Sequence, residues 1–378
     1  MGLGTVIRAA AAAWAFTFAL QPALADIVVG QAAPFSGPLA PTGTHLRAGA
    51  QLYFDAVNAA GGVHGHKLRL VSQDDGYKAA ETVRLVQAII KENQPIAFFG
   101  LVGTGNIEAL LKDRVLDASA IPLVAFRSGS SSVAGSGNPW LFSTRATYAD
   151  EIAKILQQYV PLGYKRVAVL YQDDAFGLDG LAAAKAIARE NGGELVAKAA
   201  YEKNTTKVEG AVKAIAAASP GLVLMVSNTA ASAEFVRQFK ATGKSAQLVS
   251  LSTTDAQQVV DKIGSEAAHG LAITQVVPAP RSISVPLVKE VHEAWKRASP
   301  KDIAYNHTLI EGYLGAKVLV EAIRRAGPGA GPRKLRETLE GLRDYDAGGV
   351  VIGFSPNRHT GSRYVDIAII NREGALVR

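Results

Sequence analysis

From Asp26 onward, short runs of apolar, β-prone residues alternate with longer segments whose apolar residues recur at three- and four-residue spacing. That alternation predicts parallel sheets wound with crossover helices, since parallel strands are buried on both faces and need connections long enough to hold a helix. Ile27 to Ala32, Lys67 to Ser72, Ile96 to Gly100 and Leu123 to Ala125 read as a first set of strands. Helical stripes lie between them: Ala48, Leu52 and Ala56, then Val83, Val86, Ile89 and Ile90, then one helix from about Asn106 to Ala118. After Thr144 a second series begins, with strands at Val167 to Tyr171, Glu194 to Ala200, Leu222 to Val226, Gln247 to Ser250 and Gly270 to Thr274. A helix is expected before these strands over 150–159, and others between them over 178–191, 208–217 and 230–241.

The chain has 378 residues, beyond the roughly 250–300 at which a single core stops growing, so two lobes of similar α/β architecture are expected. The ending breaks simple order. Helices over 285–298, around Leu309 to Ile323 and over 334–342 precede strand-like runs at Gly349 to Phe354 and Tyr364 to Asn371, and Gly327-Pro328-Gly329 closes the long helix. A fold in which the late helices complete the first lobe and the last strands join the second accommodates this. Lobe 1 is then 26–145 with 277–345 and lobe 2 is 146–276 with 346–378, with crossings near Arg145, Val276 and Tyr345.

Residues 1–25 differ from the rest. Arg8 is their only charged side chain, Ala9 to Leu20 is apolar, and Ala23-Leu24-Ala25 offers the small residues a signal peptidase requires. A secretory leader cleaved before Asp26, and hence a periplasmic protein that is not membrane-embedded, is the expectation. The chain has no cysteine, which removes disulfides, thiolate metal sites and cysteine nucleophiles together. Its net charge of +7 comes from dispersed basic residues, and nucleic-acid binding needs a concentrated stripe.

Several motifs resemble one family. Gly30-Gln31-Ala32-Ala33-Pro34-Phe35-Ser36-Gly37-Pro38, Asn58 to Val63, Asp74-Asp75, Tyr171 to Gly177, Glu311-Gly312-Tyr313 and Gly361 to Asp366 resemble the type I periplasmic binding proteins. The branch is the leucine/isoleucine/valine-binding subfamily that feeds ABC importers. The resemblance implies two doubly wound parallel-sheet lobes joined by three hinge crossings, with a small molecule held between them. It further implies a permease and an ATPase encoded separately, and no cofactor.

In open α/β sheets ligands sit beyond the carboxyl ends of strands. Gly100 to Asn106 lies there and leads into a helix, so glycine backbone and free amides suit an anionic group. Thr104 aligns with the family's carboxylate-binding hydroxyl; a helix cap without ligand is the plain alternative. In the next loop Ser128, Gly129 and Ser130 match the family's hydroxyl and backbone contacts. Arg127 departs from the pattern, as either a bidentate carboxylate clamp or a surface residue. Phe176 stands where the family places a lid aromatic and also suits a core position. Asn228 and Ser252 follow strands, and Thr42 is a further cleft candidate. In amino-acid binders the position near Ser252 is a glutamate that pairs with the α-ammonium group. No acid stands there, Asp255 reads as the start of a helix, and a desolvated ammonium without a partner is costly. The expected ligand is therefore a small carboxylate or polar metabolite lacking that amine, with an amino acid as the alternative left open.

Enzyme signatures are absent. The seven histidines show no metalloprotease spacing, the serines no nucleophile elbow, and there is no Walker A sequence. His64 and His66 sit in a Gly-rich turn and carry no metal expectation. A sensor that presents its ligand to a receptor or kinase is the alternative to transport.

Overall fold

A computed structural model describes residues 25–378. The leader expected over 1–25 lies, apart from Ala25, outside the described residues.

The first sheet contains β1 (Ile27–Ala33), β2 (Leu68–Asp74), β3 (Ala97–Phe99), β4 (Leu123–Val124) and β5 (Leu141–Phe142), ordered β2-β1-β3-β4-β5 with every neighbour parallel. The second contains β6 (Arg166–Gln172), β7 (Glu194–Tyr201), β8 (Leu222–Val226), β9 (Gln247–Ser250) and β10 (Ala272–Gln275), ordered β7-β6-β8-β9-β10, also parallel. A small hairpin, β11 (Tyr345–Asp346) with β12 (Val351–Ile352), follows. Then β13 (Asp366–Ile370) adds antiparallel to β10, and β14 (Leu376–Val377) antiparallel to β13. Both sheets thus share one winding order, in which the chain starts centrally, adds one strand outward and reverses. The reversal opens a crevice at the carboxyl ends of β1 and β3, and of β6 and β8.

Each sheet has an apolar core on each face. In the first lobe, Val29, Phe99 and Phe142 pack against helices Ala40–Ala59, Pro286–Ala298, His307–Ala326 and Pro332–Glu340. The opposite face packs Phe98, Leu101 and Leu123 against helices Ala79–Asn93 and Thr104–Lys112. The two 20-residue helices of this lobe approach at backbone distance: a Cβ on Gly49 would stand 2.1 Å from the Leu309 carbonyl oxygen, and one on Gly312 2.3 Å from that of Leu46. Tyr313, beside Gly312, meets Tyr53 edge to face at 5.0 Å.

Three expectations need correction. The helix read over 106–118 is two, because Arg114 adopts a left-handed conformation (φ 53°) between Thr104–Lys112 and Val115–Ser119. Of the strand read over Gly349 to Phe354 only Val351–Ile352 forms. The crossing expected near Tyr345 lies later, because Val350, Ile352 and Phe354 pack in the first lobe's core and the chain joins the second sheet only at Asp366. Gly361 donates to the Ser143 carbonyl at 2.8 Å, so this last passage runs beside the one through Ser143 to Arg145.

Candidate functional site

The crevices of the two sheets face each other across a cavity of about 30 Å³, lined from both lobes. Leu39, Thr42, Tyr77, Val102, Gly103, Thr104 and Arg127 come from the first; Tyr148, Phe176, Asn228 and Thr253 come from the second. That volume holds about one or two waters, so the lobes stand drawn together and a metabolite enters only as they part.

The first lobe's wall is built on the loop after β3. Gly103 (φ 105°) precedes helix Thr104–Lys112 with no side-chain cap, which leaves the first amides of the helix directed at the cavity end. A Cβ on Gly103 would lie 2.4 Å from the Tyr77 ring, so glycine is what lets that ring cover the loop. The Thr104 and Ser128 hydroxyls are 2.8 Å apart and both buried. Asp75 anchors the arrangement: it accepts from the Tyr77 amide at 2.8 Å and from the Thr82 hydroxyl at 2.7 Å, and Thr82 in turn accepts from Asn106 at 2.8 Å. Burial raises the Asp75 pKa above the ordinary carboxylate value, and these donors oppose the rise.

The second lobe contributes the N-terminal ends of helices Ala175–Glu190 and Thr229–Ala241. Asp174 caps the first, accepting from Gly177 at 3.2 Å, and Asn228 caps the second, accepting from Ala231 at 3.1 Å. Phe176 packs on Tyr148 with ring centroids 5.0 Å apart. Contacts join the lobes around the cavity. Gln172 donates to the Tyr77 hydroxyl at 3.3 Å, the Lys203 ammonium lies 4.0 Å from the Tyr77 ring centre, and Asp179 accepts from the Ser131 amide at 3.0 Å.

Behind the cavity lies a buried ionic cluster. Arg127 donates through Nη1 to Glu311 and through Nη2 to the Ser252 carbonyl at 2.8 Å. Arg145, 1% exposed, reaches Glu311 at 3.2 Å and Glu151 at 3.0 Å, while Glu151 also accepts from the Ser252 amide at 2.8 Å and from Thr274. Two arginines thus meet two glutamates, and the cluster is charge-balanced. Burial would lower the pKa of Arg145, but Glu311 and Glu151 outweigh it and hold the guanidinium above its ordinary value.

Of the nine residues singled out from the sequence, Thr42, Thr104, Arg127, Phe176 and Asn228 line the cavity, and Ser128 stands one hydrogen bond behind Thr104. Three do not. Gly129 supplies a carbonyl to the Tyr148 amide at 2.7 Å, Ser130 caps the short helix Ser131–Ala134, and Ser252 belongs to the ionic cluster. Arg127 points inward, and Asp255 caps helix Ala256–Ala268. Leu39, Tyr77, Tyr148 and Thr253 were not read as site residues. Tyr77 follows the quoted Asp74-Asp75 pair by two positions, the one signal that marked it.

Paired α/β lobes with one winding order, and between them a crevice lined by apolar side chains and a few polar groups, have the architecture of a solute-binding protein. The chain belongs to the periplasmic binding protein family, whose model matches residues 26–375, a family of binding proteins rather than enzymes. Among solved structures, a substrate-binding periplasmic protein from Ralstonia solanacearum is 36% identical, with 93% of this chain and 99% of that one covered and a TM-score of 0.89. The Leu/Ile/Val-binding protein homolog 7 of Brucella suis biovar 1 is 26% identical over 347 residues, 88% of this chain and 85% of that protein. A Thermus thermophilus branched chain amino acid ABC transporter protein with bound valine shares the fold, with a TM-score of 0.83, 19% identity, and 93% and 94% coverage.

Proposed function

We propose that this protein is the solute-receiving component of an ABC importer, exported through its leader, and that it traps a small organic carboxylate by closure of its two lobes. The observation that carries this reading is the cavity walled from both sides and ringed by interlobe contacts. The Thr104 helix terminus and hydroxyl take the carboxylate, and Tyr148, Phe176, Leu39 and Val102 cover an apolar body. Contacts available only when the lobes meet supply the differential affinity that shifts open to closed. The closed form then docks on a membrane permease, which is a separate polypeptide together with its ATPase.

The Brucella relative's name points to branched-chain amino acids. The lining argues for a ligand without the amine, because no Asp or Glu is among the lining residues and a desolvated ammonium needs such a partner. Native mass spectrometry of the exported protein identifies the compound it carries. Small-angle scattering of stripped protein should then show a smaller radius of gyration when that compound is restored, and an unchanged radius would refute closure. At 100 times its dissociation constant the compound should stabilise the fold by ~2.7 kcal/mol.

A further inference from the structure

Arg127 is the one charged side chain among the residues lining the cavity. A guanidinium carries five N–H donors. Among the described residues, one Nη1 bond goes to Glu311 and one Nη2 bond to the Ser252 carbonyl, and the other three donors have no protein partner. The backbone of Arg127 is fixed beside the carboxylate end: its amide donates to the Leu101 carbonyl at 2.7 Å, and its carbonyl accepts from Gly103 at 3.1 Å. Ser128, the next residue, touches Thr104. Glu311 is itself held by Arg145, so the fork has a fixed attachment on one side and spare donors beside the cavity.

We propose that Arg127, positioned by Glu311 and the Ser252 carbonyl, is the specificity-determining residue of the cleft and selects 2-oxo acids over the corresponding amino acids. This rests on the cleft reading above. A keto oxygen next to the carboxylate accepts from the spare guanidinium donors, and a plain carboxylic acid leaves those donors unmet. An ammonium group at the same carbon meets a like charge with no lining carboxylate to offset it. A site built to donate a hydrogen bond discriminates strongly against an analogue that cannot accept it. Glu311 contributes by restraining the fork, so that the helix terminus and Thr104, rather than Arg127, take the carboxylate.

The test uses the full mature protein and three probes that differ at one carbon: 4-methyl-2-oxopentanoate, 4-methylpentanoate and L-leucine, each measured by titration calorimetry. The wild type should bind the oxo acid most tightly, at least about tenfold better than leucine. The double variant R127M/E311Q removes one charge of each sign and leaves Arg145 balanced by Glu151. It should bring the two affinities within about threefold of each other. T104A should weaken all three probes together. Leucine binding as tightly as the oxo acid, or a preference that survives in R127M/E311Q, overturns the proposal; if T104A still weakens binding in those cases, the cleft reading stands. Binding of none of the three also overturns it, and the cleft reading is then decided by the scattering measurement. Should the double variant fail to fold, R127K keeps the charge without the planar fork and should narrow the preference; an unchanged ratio refutes the role of Arg127.

Discussion

Glu151→Gln is the sharpest perturbation of the buried cluster. The substitution keeps the shape of a side chain that is 0% exposed, yet removes one of two negative charges facing Arg127 and Arg145. It also replaces one acceptor oxygen by an NH₂ group in a place where the Ser252 amide, the Ser252 hydroxyl, Thr274 and Arg145 all donate. At least one donor is left opposed to another donor, and the cluster carries an unbalanced buried positive charge. Breaking a buried pair in this way costs about 3–5 kcal/mol, and for a chain of this size that lowers the unfolding midpoint by about 4–7 °C. Scanning calorimetry with urea denaturation measures it. The control is Glu81→Gln, whose partner Arg84 lies on the surface, where exposed pairs contribute little. The double variant R145M/E151Q restores balance through Arg127 and Glu311 and should be less destabilised than the two single changes combined. A Glu151→Gln midpoint indistinguishable from that of Glu81→Gln would refute the account of the cluster.

Gly312→Ala should destabilise by about 1–3 kcal/mol through overpacking, because its Cβ would stand 2.3 Å from the Leu46 carbonyl oxygen; a melting midpoint at the wild-type value would show that the helices separate freely. His307, its Nε2 buried without a partner, is pushed down to about 3 by burial, with Arg127 and Arg281 adding to the effect. The unfolded chain takes up this proton near pH 6.5 and the folded one does not, so stability falls as pH drops from about 6.5 toward 3, by up to ~1.4 kcal/mol per unit. His307→Asn should therefore lose about 2 kcal/mol less than wild type between pH 7 and 5 in urea titrations, and equal losses would remove His307 from the acid response.

Element type and order were legible because they rest on local periodicity. β8 and β9 occur over the same residues as read from the apolar runs at Leu222 to Val226 and Gln247 to Ser250. The break at Arg114 was not legible: the residues of 106–118 keep a helical spacing, and the left-handed turn between them is a backbone choice. Strand-end position was likewise enough to pick out the loops after β3 and β4 and the residue Asn228, since in this winding the carboxyl ends of strands must face the crevice, while Thr104 and Ser128 within those loops came from the family resemblance.

What the chain's order of residues determined alone was the pair of wound sheets, the glycine-bearing loop at Gly103 and the lack of an acid near Ser252. What only the tertiary structure decided was where Arg127 points and which neighbours it answers to. Its carboxylate partner, Glu311, is 184 residues away along the chain, and its carbonyl partner sits on the opposite lobe. Periodicity is a property of near neighbours and survives in a linear reading, whereas the burial of a charge is permitted only by a counter-charge brought to it through folding. Ser252, read as a ligand contact from its place after β9, was claimed instead by Glu151 and Arg145, because two lobes meeting at that depth leave a buried carboxylate that must find its donors.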